Sequence, residues 1–147
     1  MTIRCEIVSQ DRTVFQGDVD IVILPGAAGE MGILPHHAPV LAILKYGVIK
    51  IRHNGKEELF AVAGGMAEVQ PDIVTILADA CERAEEIDEE RAAEARRRAQ
   101  ERLVARGAGV DLERTVASLR RAEVRLKAAR RRRGPARIGD KSGGPEE

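Results

Sequence analysis

The residues that could do chemistry are few and scattered. Gly26-Ala27-Ala28-Gly29-Glu30-Met31-Gly32 has the glycine density of a phosphate-cradling loop. Its spacing is GxxGxxG, no Lys-Ser/Thr follows, and strand-like residues rather than a helix come next, so the segment reads as a turn. His36-His37 are adjacent and their side chains diverge, His53 stands alone, and no third ligand completes a metal site. Cys5 and Cys81 lack CxxC spacing and read as free thiols of a reducing compartment. No Ser/His/Asp or Cys/His constellation and no acid pair stands in a pocket-forming segment, which argues against an enzyme. What remains is arginine: residues 111–137 hold 10 Lys/Arg against 3 acids. Arginine forks suit carboxylates and phosphates, so the chemistry on offer is binding.

Two kinds of element must position these groups. Up to Ala84 the chain reads as strands. Ile3, Cys5 and Ile7 alternate with Arg4 and Glu6. Ile21–Leu24 stops at Pro25-Gly26. Val48–Arg52 meets Leu59–Ala63 across the hairpin signal Asn54-Gly55. Gly64-Gly65 reads as a turn into Met66–Val69, and Gln70-Pro71-Asp72 as a turn into Ile73–Leu77. Short strands punctuated by Gly and Pro predict a sandwich or flattened barrel.

From Glu85 on, Ala, Glu and Arg dominate and β-branched residues nearly vanish. Asp88 suits an N-cap, with Glu89 and Glu90 in the first turn, and the helix is expected to reach about Ala105. Arg106-Gly107-Ala108-Gly109 reads as a turn with a glycine C-cap, and Asp111 as the cap of a second helix to about Arg133, ended by Gly134-Pro135. At ~1.5 Å per residue the helices are roughly 27 and 33 Å long. The second carries the stripe Leu112, Val116, Leu119, Ala122, Leu126 and Ala129. The first carries only Ala92, Ala95, Ala99 and Leu103. A hairpin held by alanines packs weakly, which marks it as a mobile element. The reading is therefore β + α in two domains: a sandwich over 1–84, an antiparallel helical hairpin over 85–133, and a disordered tail over 134–147.

The formal net charge is zero, yet residues 1–84 hold 7 Lys/Arg against 11 Asp/Glu and residues 85–147 hold 17 against 13. That asymmetry suggests two units with different partners. No secretory signal is visible and no apolar run approaches the ~20 residues of a membrane helix, so a soluble cytoplasmic chain is expected. The Arg130–Arg133 cluster could serve nucleic acid, but stacking aromatics are nearly absent.

One stretch is more particular. Residues 29–49, Gly-Glu-Met-Gly-Ile-Leu-Pro-His-His-Ala-Pro-Val-Leu-Ala-Ile-Leu-Lys-Tyr-Gly-Val-Ile, resemble the LPxHAP signature of the epsilon subunits of F-type ATP synthases. Ala63–Val69 with Val74–Asp79, and Glu82–Asp88, agree in order. The resemblance covers Ile3 to about Leu126. It implies a sandwich of about ten strands docking on the gamma subunit and the c-ring, with Gly29, Gly32, Leu34, Pro35, His37 and Pro39 at the rotor interface. It implies a hairpin that folds onto the sandwich or extends toward the alpha and beta subunits and resists hydrolytic rotation. The implied role is non-catalytic: coupling proton-driven rotation to ATP synthesis, peripherally, at the cytoplasmic face of a bacterial membrane, without nucleic acid, required cofactor or membrane insertion.

The family's I/L-D-x-x-R-A nucleotide motif is matched by Ile87-Asp88-Glu89-Glu90-Arg91-Ala92. Asp88 as an N-cap and Ile87 against Ala92 as a hydrophobic staple account for half of it without a ligand. The further positions implied for ATP, as a regulatory ligand, are Glu82, Arg98, Arg121 and Arg125. Arg121 and Arg125 are i,i+4 neighbours and share a helix face. Bound ATP would favour the folded hairpin, since a ligand shifts an equilibrium toward the state it prefers.

Overall fold

The computed structural model describes residues 1–105 and 112–132. Eight strands come first: β1 (Ile3–Val8), β2 (Thr13–Val19), β3 (Ile21–Gly26), β4 (Gly29–Ile33), β5 (Val40–His53), β6 (Lys56–Val69), β7 (Ile73–Ala78) and β8 (Cys81–Arg83). A single 3-10 turn, Ala84–Glu86, leads to α1 (Glu89–Ala105) and α2 (Leu112–Arg132). The expected Gly107 C-cap, the Asp111 cap, Arg133 and the tail lie outside the described residues.

The strands hydrogen-bond in the order β2-β1-β7-β6-β5-β3-β4, with β8 also on β6. All pairs are antiparallel except β1 with β7. The sheet folds over on itself around one core. Ile3, Cys5 and Ile7 of β1, Val22 and Leu24 of β3, Ile49 and Ile51 of β5, Phe60 and Val62 of β6, and Val74 and Ile76 of β7 all point into it. The period-2 pattern that marked β1 is the pattern of burial.

The structure corrects two expectations. Gly64-Gly65 is no turn: β6 runs 14 residues through it, and Gly65 pairs with both Leu44 and Ala78. The two glycines have φ of 85° and 133°, so they bend the strand without ending it. For the same reason the strands number eight, not about ten. β5 and β6 each pass unbroken through the bend, and counting their halves separately restores ten. The segment Gly26–Gly32 does turn, as the β3–β4 hairpin.

A second, smaller core lies outside the sandwich. Val48, Leu59 and Ala61, on the outer face of β5 and β6, pack with Ala84, Ile87, Ala92, Leu126, Ala128 and Ala129. Both faces of this part of the sheet are covered, which explains the unbroken apolar runs there. The helices are therefore folded down, with α2 against the sheet and α1 against α2. Of the expected stripes, Ala92, Ala99, Ala122, Leu126 and Ala129 are buried, while Leu112 is half-exposed.

Candidate functional site

α1 starts as its sequence dictates. The Asp88 carboxylate accepts a hydrogen bond from the Arg91 backbone N–H at 3.2 Å, and the Ala92 N–H reaches the Asp88 carbonyl at 2.9 Å. Ile87 and Ala92 are both buried in the second core. Ile87, Asp88 and Ala92 thus have structural work here. Arg91 is exposed beside Asp88, at 3.9 Å, and Arg98 is exposed further along α1.

The other three expected nucleotide residues meet. β8 presents Glu82 toward α2, where Arg121 and Arg125 share one face. Together with Ala61, Val62, Ala63, Ala80, Cys81 and Val124 they line a cavity of about 210 Å³. The Arg125 guanidinium donates to Glu82 Oε1, joining the helix to the sandwich. Arg121 is exposed at the rim and donates to Ser118 Oγ at 3.3 Å. The floor is small and apolar, and the rim carries two cations and one anion. An apolar floor with a few charged groups at the rim is the usual make-up of a small-molecule pocket. Ile87, Asp88, Arg91, Ala92 and Arg98 do not line it.

Cys81 borders the cavity and also packs against the sandwich core, while Cys5 lies wholly within that core. Burial pushes both thiols up to about 12, so both stay protonated at neutral pH. On the linker, Glu86 accepts a 2.6 Å hydrogen bond from Arg12, which holds its carboxyl below the usual range.

The signature residues expected at a rotor interface follow one another along the chain, on β4 and the loop after it. Gly29 and Gly32 lie on β4, and Leu34, Pro35, His37 and Pro39 on the following loop. His36 has φ 65° and its N–H reaches the Pro71 carbonyl at 2.8 Å. The His37 ring lies 2.7 Å from the Ala38 carbonyl. Leu34 is exposed.

Sequence reasoning missed a further group of exposed apolar residues. Ile43, Met66 and Leu77 are direct cross-strand partners on the outer face of β5, β6 and β7. They are 66%, 38% and 50% exposed, and Leu41 beside them 64%. The signal was present in Leu41-Ala42-Ile43-Leu44, a strand segment apolar on both faces where a half-buried strand would alternate. A contiguous apolar patch of this kind marks an interaction surface.

Among the described residues no group of three or more His, Cys, Asp or Glu side chains could hold a metal ion. No described helix is long and apolar enough to cross a membrane.

Comparison with known proteins agrees with this architecture in both halves. Residues 2–84 match the ATP synthase delta/epsilon chain β-sandwich domain, and residues 85–130 its long α-helix domain. The chain is 48% identical over 132 residues to the ATP synthase epsilon chain of Dehalococcoides mccartyi, covering 89% of this chain and 94% of that one. It is 45% identical over 129 residues to the epsilon chain of Bacillus licheniformis, covering 88% and 98%. Among solved structures it resembles a chain of the Euglena gracilis mitochondrial ATP synthase OSCP/F1/c-ring assembly. The TM-score is 0.74 at 27% identity, over 87% of this chain and 81% of that one. Its two halves, in their order and over nearly their full length, place the chain in the delta/epsilon family of ATP synthase subunits.

Proposed function

We propose that the chain is a non-catalytic central-stalk subunit of an F-type ATP synthase and that its helical hairpin is a brake on ATP hydrolysis gated by ATP. The sandwich docks on the gamma subunit and the c-ring, at the cytoplasmic face of a bacterial membrane. Support for docking comes from the exposed apolar row Ile43, Met66 and Leu77 and from the exposed Leu34. When the hairpin opens, its basic α2 extends toward the alpha and beta subunits, where charge complementarity with acidic segments would steer it.

The observation that carries the nucleotide reading is the cavity itself. Glu82 and Arg125 lie 43 positions apart in the chain, yet the folded hairpin brings them together with Arg121 around one apolar slot. Opening the hairpin separates α2 from β8 and destroys the slot. A ligand held there binds only the folded state, so ATP stabilises the folded form and its depletion releases the brake. The ligand is sensed, not hydrolysed.

Calorimetric titration of MgATP into the isolated protein, with ADP as control, tests this. Wild-type protein is expected to bind ATP selectively and Arg121→Ala to lose most of that affinity. Equal affinity in the two proteins refutes the site. Absence of heat at millimolar ATP refutes the gating and leaves the arginines as a docking face.

A further inference from the structure

Arg83 is one residue beyond Glu82, and nothing derived so far uses it. Strand alternation sends Glu82 outward to α2 and Arg83 to the opposite face, toward β2 and β6. There its guanidinium donates to Glu58 Oε1 at 3.0 Å and to the Val14 carbonyl at 3.1 Å. It also lies over the rings of Phe15 and Phe60, at 5.8 and 5.5 Å. These rings pack edge to face at 5.7 Å. Glu58 Oε2 in turn lies 3.5 Å from His53 Nε2. One side chain therefore ties β8 to β2 and β6, using both arms of its fork and its flat face.

β8 needs such a tie. It is three residues long and pairs with β6 alone, through Phe60, Ala61 and Val62. Three bridges on one side are too few to hold a strand that also carries the lever of two helices. Among the described residues none of Arg83's partners belongs to α1 or α2, so the tie survives when the hairpin leaves. The Arg12–Glu86 pair behaves alike, anchoring the 3-10 turn to the β1–β2 connection. The contacts that opening must break are different: Arg125 with Glu82, and Leu126, Ala128 and Ala129 with Val48, Leu59 and Ala61.

We propose that Arg83 is a positioning residue that pins β8 to the sandwich, fixing Glu82 at the cavity edge and setting the hinge of the hairpin beyond Glu86. β8 and the 3-10 turn then belong mechanically to the sandwich. The chain swings at Ile87-Asp88, where the backbone is extended between the 3-10 turn and α1. The hinge and the nucleotide consequence rest on the function proposed above, and the pinning of β8 does not.

The two cysteines make the test internal. Cys81 is in β8 and Cys5 deep in the core, so iodoacetamide labelling, read by peptide mass spectrometry, compares local with global opening in one sample. In the full chain, Arg83→Met is expected to raise Cys81 labelling about tenfold or more, the factor for losing charge-assisted hydrogen bonds. Cys5 labelling should not change. Arg83→Lys keeps the charge but not the fork, and should raise Cys81 labelling with little loss of thermal stability. Unchanged Cys81 labelling in both Arg83 variants overturns the proposal. So does Cys5 labelling that rises in step with Cys81. Where wild-type protein binds MgATP, Arg83→Met should weaken that binding about tenfold, and undiminished affinity overturns the link to Glu82. A wild-type chain that binds no nucleotide sinks the gating function and leaves the labelling to decide on Arg83.

Discussion

Leu126→Ala separates the two cores of the molecule. Leu126 is 1% exposed and is the largest α2 side chain in the small core, where it meets Val48, Leu59 and Ala61 of the sheet beside Ile87 and Ala92. The α2 residues around it, Ala122, Ala128 and Ala129, offer little area. Truncating a buried Leu costs about 2–5 kcal/mol. At an interface that can come apart, the cost falls on the docking equilibrium rather than on global unfolding. With a loss of about 3 kcal/mol, the population of undocked hairpin rises about 150-fold. The sandwich core shares no residue with this cluster, so its own stability should hold. Hydrogen exchange checks this directly. Amides of α1 and α2 should exchange faster by roughly two orders of magnitude, while those of β1 and β7 keep their wild-type rates. If helices and strands accelerate together, the two cores are one cooperative unit and the hairpin is not an independent element.

Three other outcomes follow from particular contacts. Gly65→Ala places a Cβ 2.3 Å from the Leu77 carbonyl oxygen at φ 133°, and should destabilise the sandwich by more than about 2 kcal/mol; a thermal midpoint within a degree or two of wild type would contradict that. Ile43→Glu alters an exposed side chain and should leave the thermal midpoint nearly unchanged while abolishing capture by an immobilised gamma subunit; undiminished capture would remove the apolar row from the docking surface. Cys5 and Cys81 have folded pKa values raised to about 12 from 9.0. The native state therefore keeps protons that the unfolded chain releases. Their contribution is complete below pH 9 and is lost between pH 9 and 12. Denaturant midpoints should fall across that window, and less steeply in a Cys5→Ala/Cys81→Ala variant; parallel pH curves would count against it.

Local rules were legible where one element decides the outcome. Ile3, Cys5 and Ile7 alternate because one face of β1 is buried, and Asn54-Gly55 turns because Asn54 and Gly55 both take positive φ, 51° and 75°. Asp88 caps α1 because a carboxylate there meets a free N–H. Legibility failed where a distant element intervenes. Gly64-Gly65 punctuates like a turn, but β5 on one side and β7 on the other carry β6 through it. Ala128 was left off the α2 stripe because the stripe assumed one partner, whereas α2 is covered by both the sheet and α1 and buries Ala128 as well. Of the residues expected to hold a nucleotide, Glu82, Arg121 and Arg125 come together only through the fold. Helical periodicity placed Arg121 and Arg125 on one face, but no local pattern shows that β8 lies beneath them. Arg83 was hidden for the same reason, since its partners Glu58 and Val14 are 25 and 69 residues away.

The most direct test of the brake is ATP hydrolysis by a reconstituted complex of alpha, beta and gamma subunits, measured with and without this chain at micromolar and millimolar MgATP. Strong inhibition at low ATP, relieved at high ATP and made more persistent there by Leu126→Ala, is the expected result. A chain that binds the complex yet leaves hydrolysis unchanged at every ATP concentration would contradict it.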